Sequence, residues 1–271
     1  MFAADGIWRA WRSPAGPATV QIVPGARPGD AVTARAWGPG GELALDLIPD
    51  ALGFHDDPIG FVAHHPIIRE QHRRHPGLRL GRTCAVVEAL LPTIVAQKVP
   101  AADASRSWQG VRRWLAEPAP GPARLTLPPD PERLAVMGYA DLHRFGIDRK
   151  RAEPLLAACR QAARLDRLGE GPVDALVAGL TQLPGVGPWT ASSVAVVALG
   201  DPDTIIVGDY GIPSAVAWVL AGERRADDAR MLALLEPERP QRARAIRLLA
   251  TTGRTPPRHG PRLRPASISR R

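Results

Sequence analysis

The sequence predicts a mainly helical α+β fold with an N-terminal antiparallel β region, and three observations predict it. Short apolar runs divided by Gly- and Pro-rich turns occupy the first 50 residues. Helical spacing of apolar positions takes over from about residue 64, and a glycine hairpin followed by a loop aspartate lies beyond residue 180.

Within residues 1–50 the runs ATVQIV (18–23), AVTARAW (31–37) and ELALDLI (42–48) are separated by PGARPGD and GPGG. Runs of this length between turn formers are read as strands. IIREQHRRH, CAVVEALLPTIVAQKV and SRSWQGVRRWLA then repeat apolar residues at helical intervals. Pro92 falls inside the second, where a missing N–H and a clash with the preceding turn should kink or split the helix. A Pro-rich connection (117–131) precedes helices expected near 131–137, 139–145, 148–165 and 173–181. From Gly253 onward Pro, Arg and Ser dominate without apolar periodicity, the composition of a flexible tail. The expected organisation is a strand-rich domain (1–63), a helical domain (64–252) and a basic tail (253–271).

With 45% hydrophobic and 23% charged residues, the composition is that of a folded globular chain. The formal charge is +8 and is unevenly placed. Residues 236–271 hold ten arginines against Glu236 and Glu238, so 10 − 2 = +8, and the remaining 25 basic and 25 acidic residues cancel. Such a basic end suits a polyanion. Cys84 and Cys159 are too few for a disulfide framework or a four-cysteine cluster. His64, His65, His72 and His75 match no standard zinc spacing. The chain has neither an apolar run of signal-peptide length at its start nor about 18 consecutive apolar residues. A soluble, cytoplasmic, nucleoid-associated protein is therefore expected.

Function concentrates in residues 173–220, which read helix, hairpin, helix, loop, helix. LPGVG (183–187) supplies glycines for a sharp turn with unobstructed amides, and Pro188 suits the first position of the next helix. Free N–H groups and the positive end of a helix dipole then face outward, which suits a phosphate. Gly185, Val186, Gly187 and Thr190 are the candidate backbone-binding residues. VGDYG sets Asp209 in a loop at the mouth of the following helix, where an aspartate can equally be an N-cap.

LPGVGPWTA followed by VGDYG closely resembles the hairpin and catalytic-aspartate signature of the helix-hairpin-helix DNA glycosylase superfamily. The resemblance spans most of residues 50–252, and the strand-rich start resembles that of the AlkA type, the 3-methyladenine DNA glycosylases II. It implies removal of alkylated purines from double-stranded DNA, with Asp209 as the catalytic carboxylate. Bifunctional members carry a Schiff-base lysine two positions after the hairpin's last glycine, where this chain has Trp189, so the implied enzyme is monofunctional. No cysteine follows Cys159, so no iron–sulfur cluster is expected.

The resemblance also implies a base pocket walled by Trp189, with Tyr210 as a second stacking ring. Ser193 stands where the AlkA type often has an aromatic, and Gly208 where it often has a second acid. The family's DNA wedge maps to Gln97, Lys98 and Val99. No cofactor is implied beyond a structural Na+ or K+ at the backbone carbonyls of Thr181, Leu183 and Val186. A monomer acting on damaged DNA is expected. The alternatives are a glycosylase of the same fold for deaminated or oxidised bases, and a non-catalytic DNA-binding module.

Overall fold

A computed structural model describes residues 1–27 and 29–257. Most of the expected basic tail, from residue 258, lies outside them. β1 (Phe2–Ala3), β2 (Gly6–Ser13), β3 (Gly16–Val23) and β4 (Thr33–Trp37) form an antiparallel sheet in the order β1-β2-β3-β4. Ile7 pairs with Ile22 and Trp11 with Ala18 across β2 and β3, and Val20 pairs with Ala36 across β3 and β4. Two of the expected strands are present, but β2 reads poorly in sequence because arginines break its apolar alternation. Packing rescues it: Trp11 is buried and Trp8 stacks on Trp37 with centroids 5.3 Å apart.

The third expected strand is instead helical. Residues 42–48 lie in α1 (Gly41–Asp46) and the start of α2 (Ile48–Ala51). Their apolar positions satisfy a two-residue period, but Leu45 is exposed while Ala44, Leu47 and Ile48 pack under the sheet with Trp11, Ala18 and Val20. Spacing of three and four residues covers one helical face. Leu, Ala and Glu also favour helix over strand.

The helical region contains two apolar clusters. The larger is built by α4 (Val86–Val95), α5 (Ala101–Trp114), α6 (Pro131–Ala135), α7 (Tyr139–His143), α8 (Arg149–Arg160), α9 (Ala162–Arg167), α10 (Val173–Thr181) and α11 (Pro188–Ala198). Helix α4 lies at its centre with Val86, Leu90 and Ile94 fully buried, each such side chain worth roughly 1.5–3 kcal/mol of apolar burial. It runs through Pro92 without a split. The span expected as one helix at 148–165 is broken at Gln161 between α8 and α9.

The second cluster joins α3 (Pro66–Arg74), α12 (Ile212–Ala221), α13 (Asp228–Leu235) and α14 (Arg242–Ala250) around Ile68, Met231, Leu235 and Leu248. Phe61 and Ala63 belong to it as well, although they precede residue 64 in the chain. Buried charge ties it together. The Glu238 carboxylate accepts the backbone N–H groups of His64 and His65, and the guanidinium of Arg244 pairs with Asp56. Arg242 pairs with Asp203 at 2.6 Å. These arginines were counted with the basic C-terminal excess, yet the fold consumes them internally.

Candidate DNA-contacting and catalytic site

The hairpin joins α10 to α11 and is shaped by two glycines with different jobs. Gly185 has φ +83°, and a Cβ there would come within 2.3 Å of Pro154 Cγ, so the turn and its seat on α8 exclude any side chain. Gly187 has an ordinary extended backbone and open space where a Cβ would project. No group of this chain requires glycine there. The amides of Gly187, Trp189 and Thr190 have no hydrogen-bond acceptor among the described residues. With Pro188 contributing no N–H, these unpaired donors stand at the positive end of α11, a position that suits an anion.

A second element locks the hairpin from the side. At the end of α4 the Gln97 amide donates to the Gly185 carbonyl at 2.9 Å and to the Thr190 hydroxyl at 2.8 Å. Thr190 is buried, and its hydroxyl braces the turn. Gln97 therefore places the next two residues beside the hairpin. Lys98 is exposed at φ +55°, at the tip of the turn, while Val99 is half-buried. Of the three residues in the wedge region, Lys98 alone projects freely.

Across the seam between the clusters, Trp189 in the first turn of α11 meets Asp209 in the loop before α12. The indole Nε1–H donates to Asp209 Oδ2 at 3.1 Å. Asp209 Oδ1 accepts the N–H groups of Gly211 at 2.8 Å and Ile212 at 2.9 Å. Gly211, and not the aspartate, is the N-cap residue of α12, but the Asp209 carboxylate still satisfies the first N–H of that helix and at the same time engages the predicted pocket wall. An ionised carboxylate accepts up to about four hydrogen bonds, so capping leaves capacity for a substrate atom.

Ser193, one turn further along α11, turns its hydroxyl back to the Trp189 carbonyl at 2.6 Å. It steadies the turn carrying the indole. Tyr210 is brought near in sequence only: its ring is fully exposed and makes no aromatic contact among the described residues. The carbonyl of Leu183 accepts the Val186 N–H at 3.0 Å, whereas those of Thr181, the last residue of α10, and Val186, in the hairpin, accept no hydrogen bond from outside α10 among the described residues. Oxygen donors left over at a helix end fit a hard cation. The sequence pattern does not reveal Asp228, whose carboxylate accepts the Gly208 N–H at 2.7 Å; nothing local links two residues twenty positions apart.

A cavity of about 430 Å3 lies elsewhere, between the loop after α2 and the loop after α11. Asp50, Asp57, Glu170 and Asp201 line it, an acidic wall that repels a polyanion. Asp50 is held below the ordinary carboxylate range: burial opposes ionisation, but hydrogen bonds from His55 and Arg82 outweigh it. Its chemistry is structural. No three His, Cys, Asp or Glu side chains among the described residues are grouped to hold a metal, and no described helix is long and apolar enough to cross a membrane.

With this geometry in hand, the comparisons with known proteins fall in one direction. No protein-family profile matches the chain. A 3-methyladenine DNA-glycosylase structure from Archaeoglobus fulgidus superposes with a TM-score of 0.74 at 18% identity, covering 91% of this chain and 86% of that one. An 8-oxoguanine glycosylase/lyase of Clostridium acetobutylicum, solved with double-stranded DNA, superposes at 0.66 and 13% identity over 91% and 88%. The fold is that of the helix-hairpin-helix DNA glycosylases, with a small N-terminal antiparallel sheet.

In sequence the chain is 28% identical over 190 residues to a Mycobacterium tuberculosis protein named as a bifunctional transcriptional activator/DNA repair enzyme AlkA, covering 68% of this chain and 36% of that one. Within the helix-hairpin-helix glycosylases, its resemblance is to the AlkA type. The chain spans about a third of the length of the curated relatives it matches.

Proposed function

We propose that this chain is a monofunctional DNA glycosylase that excises alkylated purines of the 3-methyladenine and 7-methylguanine class, with Asp209 as its catalytic carboxylate. The observation that carries the reading is the Trp189–Asp209 pair set beside a hairpin whose outward amides lack protein partners. The 3-methyladenine and AlkA names of the similar proteins support the lesion class.

In this reading the amides of Gly187, Trp189 and Thr190 bind one phosphate of the damaged strand, and Lys98 enters the duplex beside them. The target nucleotide rotates out, at an unstacking cost of a few kcal/mol. An N3- or N7-alkylated purine is cationic and stacks on the Trp189 indole; the exposed Tyr210 ring is free to close over its other face. The C1′–N bond breaks with its electron pair leaving on the base, which departs neutral. The Asp209 carboxylate stabilises the oxocarbenium-like sugar and takes a proton from the water whose oxygen bonds to C1′. Trp189 offers no amine, so no Schiff base forms there.

We also propose that the carbonyls of Thr181, Leu183 and Val186 hold a Na+ or K+ ion, which when bound adds positive charge at the phosphate site. No other cofactor is needed. The protein acts as a cytoplasmic monomer on damaged double-stranded DNA.

A panel of duplexes, each with one lesion, tests the reading by release of free base. Excision of 3-methyladenine or 7-methylguanine with an intact abasic strand is expected, and borohydride should trap no covalent complex. Activity confined to deaminated or oxidised bases would reassign the substrate, and binding without release would reduce the chain to a DNA-binding module.

A further inference from the structure

Gly208, the residue before Asp209, bends the loop at φ +76°. Glycine reaches this conformation without strain, but it also has the widest range of alternatives. The residue that makes the bend is therefore the one least able to hold it. Its N–H donates to Asp228 Oδ2 at 2.7 Å, across from the first position of α13.

Asp228 is not needed to cap its own helix, because the Asp227 side chain already accepts the Arg230 N–H at 2.9 Å. Its second oxygen, Oδ1, is shielded from solvent and has no hydrogen-bond partner among the described residues. A shielded, half-unpaired carboxylate carries a desolvation cost, for which α13 gains only a negative charge in its first turn. What it does secure is the peptide leading into Asp209. The hydrogen bonds of Asp209 itself run to Gly211 and Ile212 at the start of α12 and to the Trp189 indole, and none of them holds the Gly208 turn that precedes it.

We propose that Asp228 is a positioning residue: by holding the Gly208 amide it sets the left-handed turn that aims the Asp209 carboxylate at Trp189 and at the sugar. The inference rests on the glycosylase reading for its effect on rate, but the tether itself is a property of the free protein. A misplacement of about 1 Å at a reacting group can cost on the order of a hundredfold.

The test compares Asp228→Ala and Asp228→Asn in the full chain, with the Trp189 indole N–H resonance assigned by Trp189→Phe. Asp228→Ala should lose about a hundredfold in single-turnover excision, keep its affinity for undamaged duplex, and shift the Trp189 indole N–H as its bond to Asp209 loosens. Asp228→Asn retains an acceptor for the Gly208 amide and should restore both readouts. A folded Asp228→Ala protein with an unmoved indole resonance and wild-type rate would overturn the proposal. So would an Asn variant as impaired as Ala, because charge rather than the tether would then matter. If the wild-type chain excises no lesion, the glycosylase reading falls on its own. The indole resonance still decides the tether, supporting it if Asp228→Ala shifts the line and sinking it if not.

Discussion

The two helical clusters solve the same packing problem by different means. The α4–α11 cluster has a large apolar centre, with Leu90, Ile94, Leu155, Leu176 and Leu180 fully buried, and the guanidinium it encloses, that of Arg151, donates to the carbonyls of Val95 and Gly146. The α3 and α12–α14 cluster encloses a smaller apolar centre and closes its edges with Arg244–Asp56, Arg242–Asp203 and the Glu238 carboxylate. Apolar burial is non-directional, whereas a hydrogen-bonded charge pair fixes register as well as distance. The site lies on the seam: the hairpin and Trp189 come from the first cluster, and Asp209 and Asp228 from the second. In the proposed glycosylase, what must be firm against DNA would sit on apolar packing, and what must point at one atom would be aimed by charged hydrogen bonds.

The largest expected effect is at the seam itself. Asp209→Asn removes the charge while keeping the size, and loss of one preorganised electrostatic partner costs on the order of a hundred- to a thousandfold in rate. Single-turnover excision should fall at least that far, while duplex affinity holds or rises. Asn can cap α12 about as well as Asp. Its amide cannot also accept the Trp189 indole, so a normal excision rate would show that capping is the aspartate's whole role.

Stability changes separate the clusters next. Arg244→Ala strands Asp56, whose side chain is only 6% exposed, and removing one partner of a buried pair costs about 3–5 kcal/mol. Combining Arg244→Met with Asp56→Leu should return most of that in denaturant melts. No recovery would mean that the pair contributes more than mutual compensation. Leu90→Ala in the apolar cluster should cost about 2–5 kcal/mol through lost burial and a residual cavity. That loss should be independent of salt and pH.

Acid should then act on the clusters with opposite signs. Burial alone would raise the Asp203 carboxyl, but hydrogen bonds from Arg242 and the charges of Arg242 and Arg239 outweigh it, so its folded pKa lies below the ordinary 3.8. Its contribution is present above that value and fades as pH falls through the folded pKa. Asp166, which accepts the Val87 N–H at the start of α4, is raised mainly by burial. The contribution of Asp166 is fullest below 3.8 and lessens as pH rises through its folded pKa. Amide exchange below the ordinary carboxylate range should therefore open α12–α14 before α4 and α11. The reverse order would break the comparison.

The smallest effect is expected from the basic end. Residues 254–271 carry six arginines, and deleting them should weaken nonspecific duplex binding and flatten its salt dependence, by about 0.9 in log–log slope for each phosphate no longer neutralised. An unchanged slope would remove this segment from the interface. Arg242 and Arg244 are not expected to neutralise phosphates, because the second cluster already pairs both with its own aspartates.

Sequence alone determined the elements whose signals are local. The helix over 173–181, the hairpin glycines, Pro188 at a helix start and Asp209 at a helix mouth all rest on neighbours within a few positions, where backbone sterics and capping act. Trp189 in place of lysine and the shortage of cysteines narrow, in the same local way, the chemistry that the family resemblance implies. Tertiary structure decided the rest. It turned 42–48 into helix, because Ala44, Leu47 and Ile48 had a sheet to cover, and made β2 a strand, because Trp11 had a core to enter. It joined Gln97 to Thr190, Trp189 to Asp209 and Asp228 to Gly208, bonds between residues 20 to 93 positions apart. Such bonds leave no pattern in the sequence, since their partners are chosen by where packed helices end and not by what lies next in the chain.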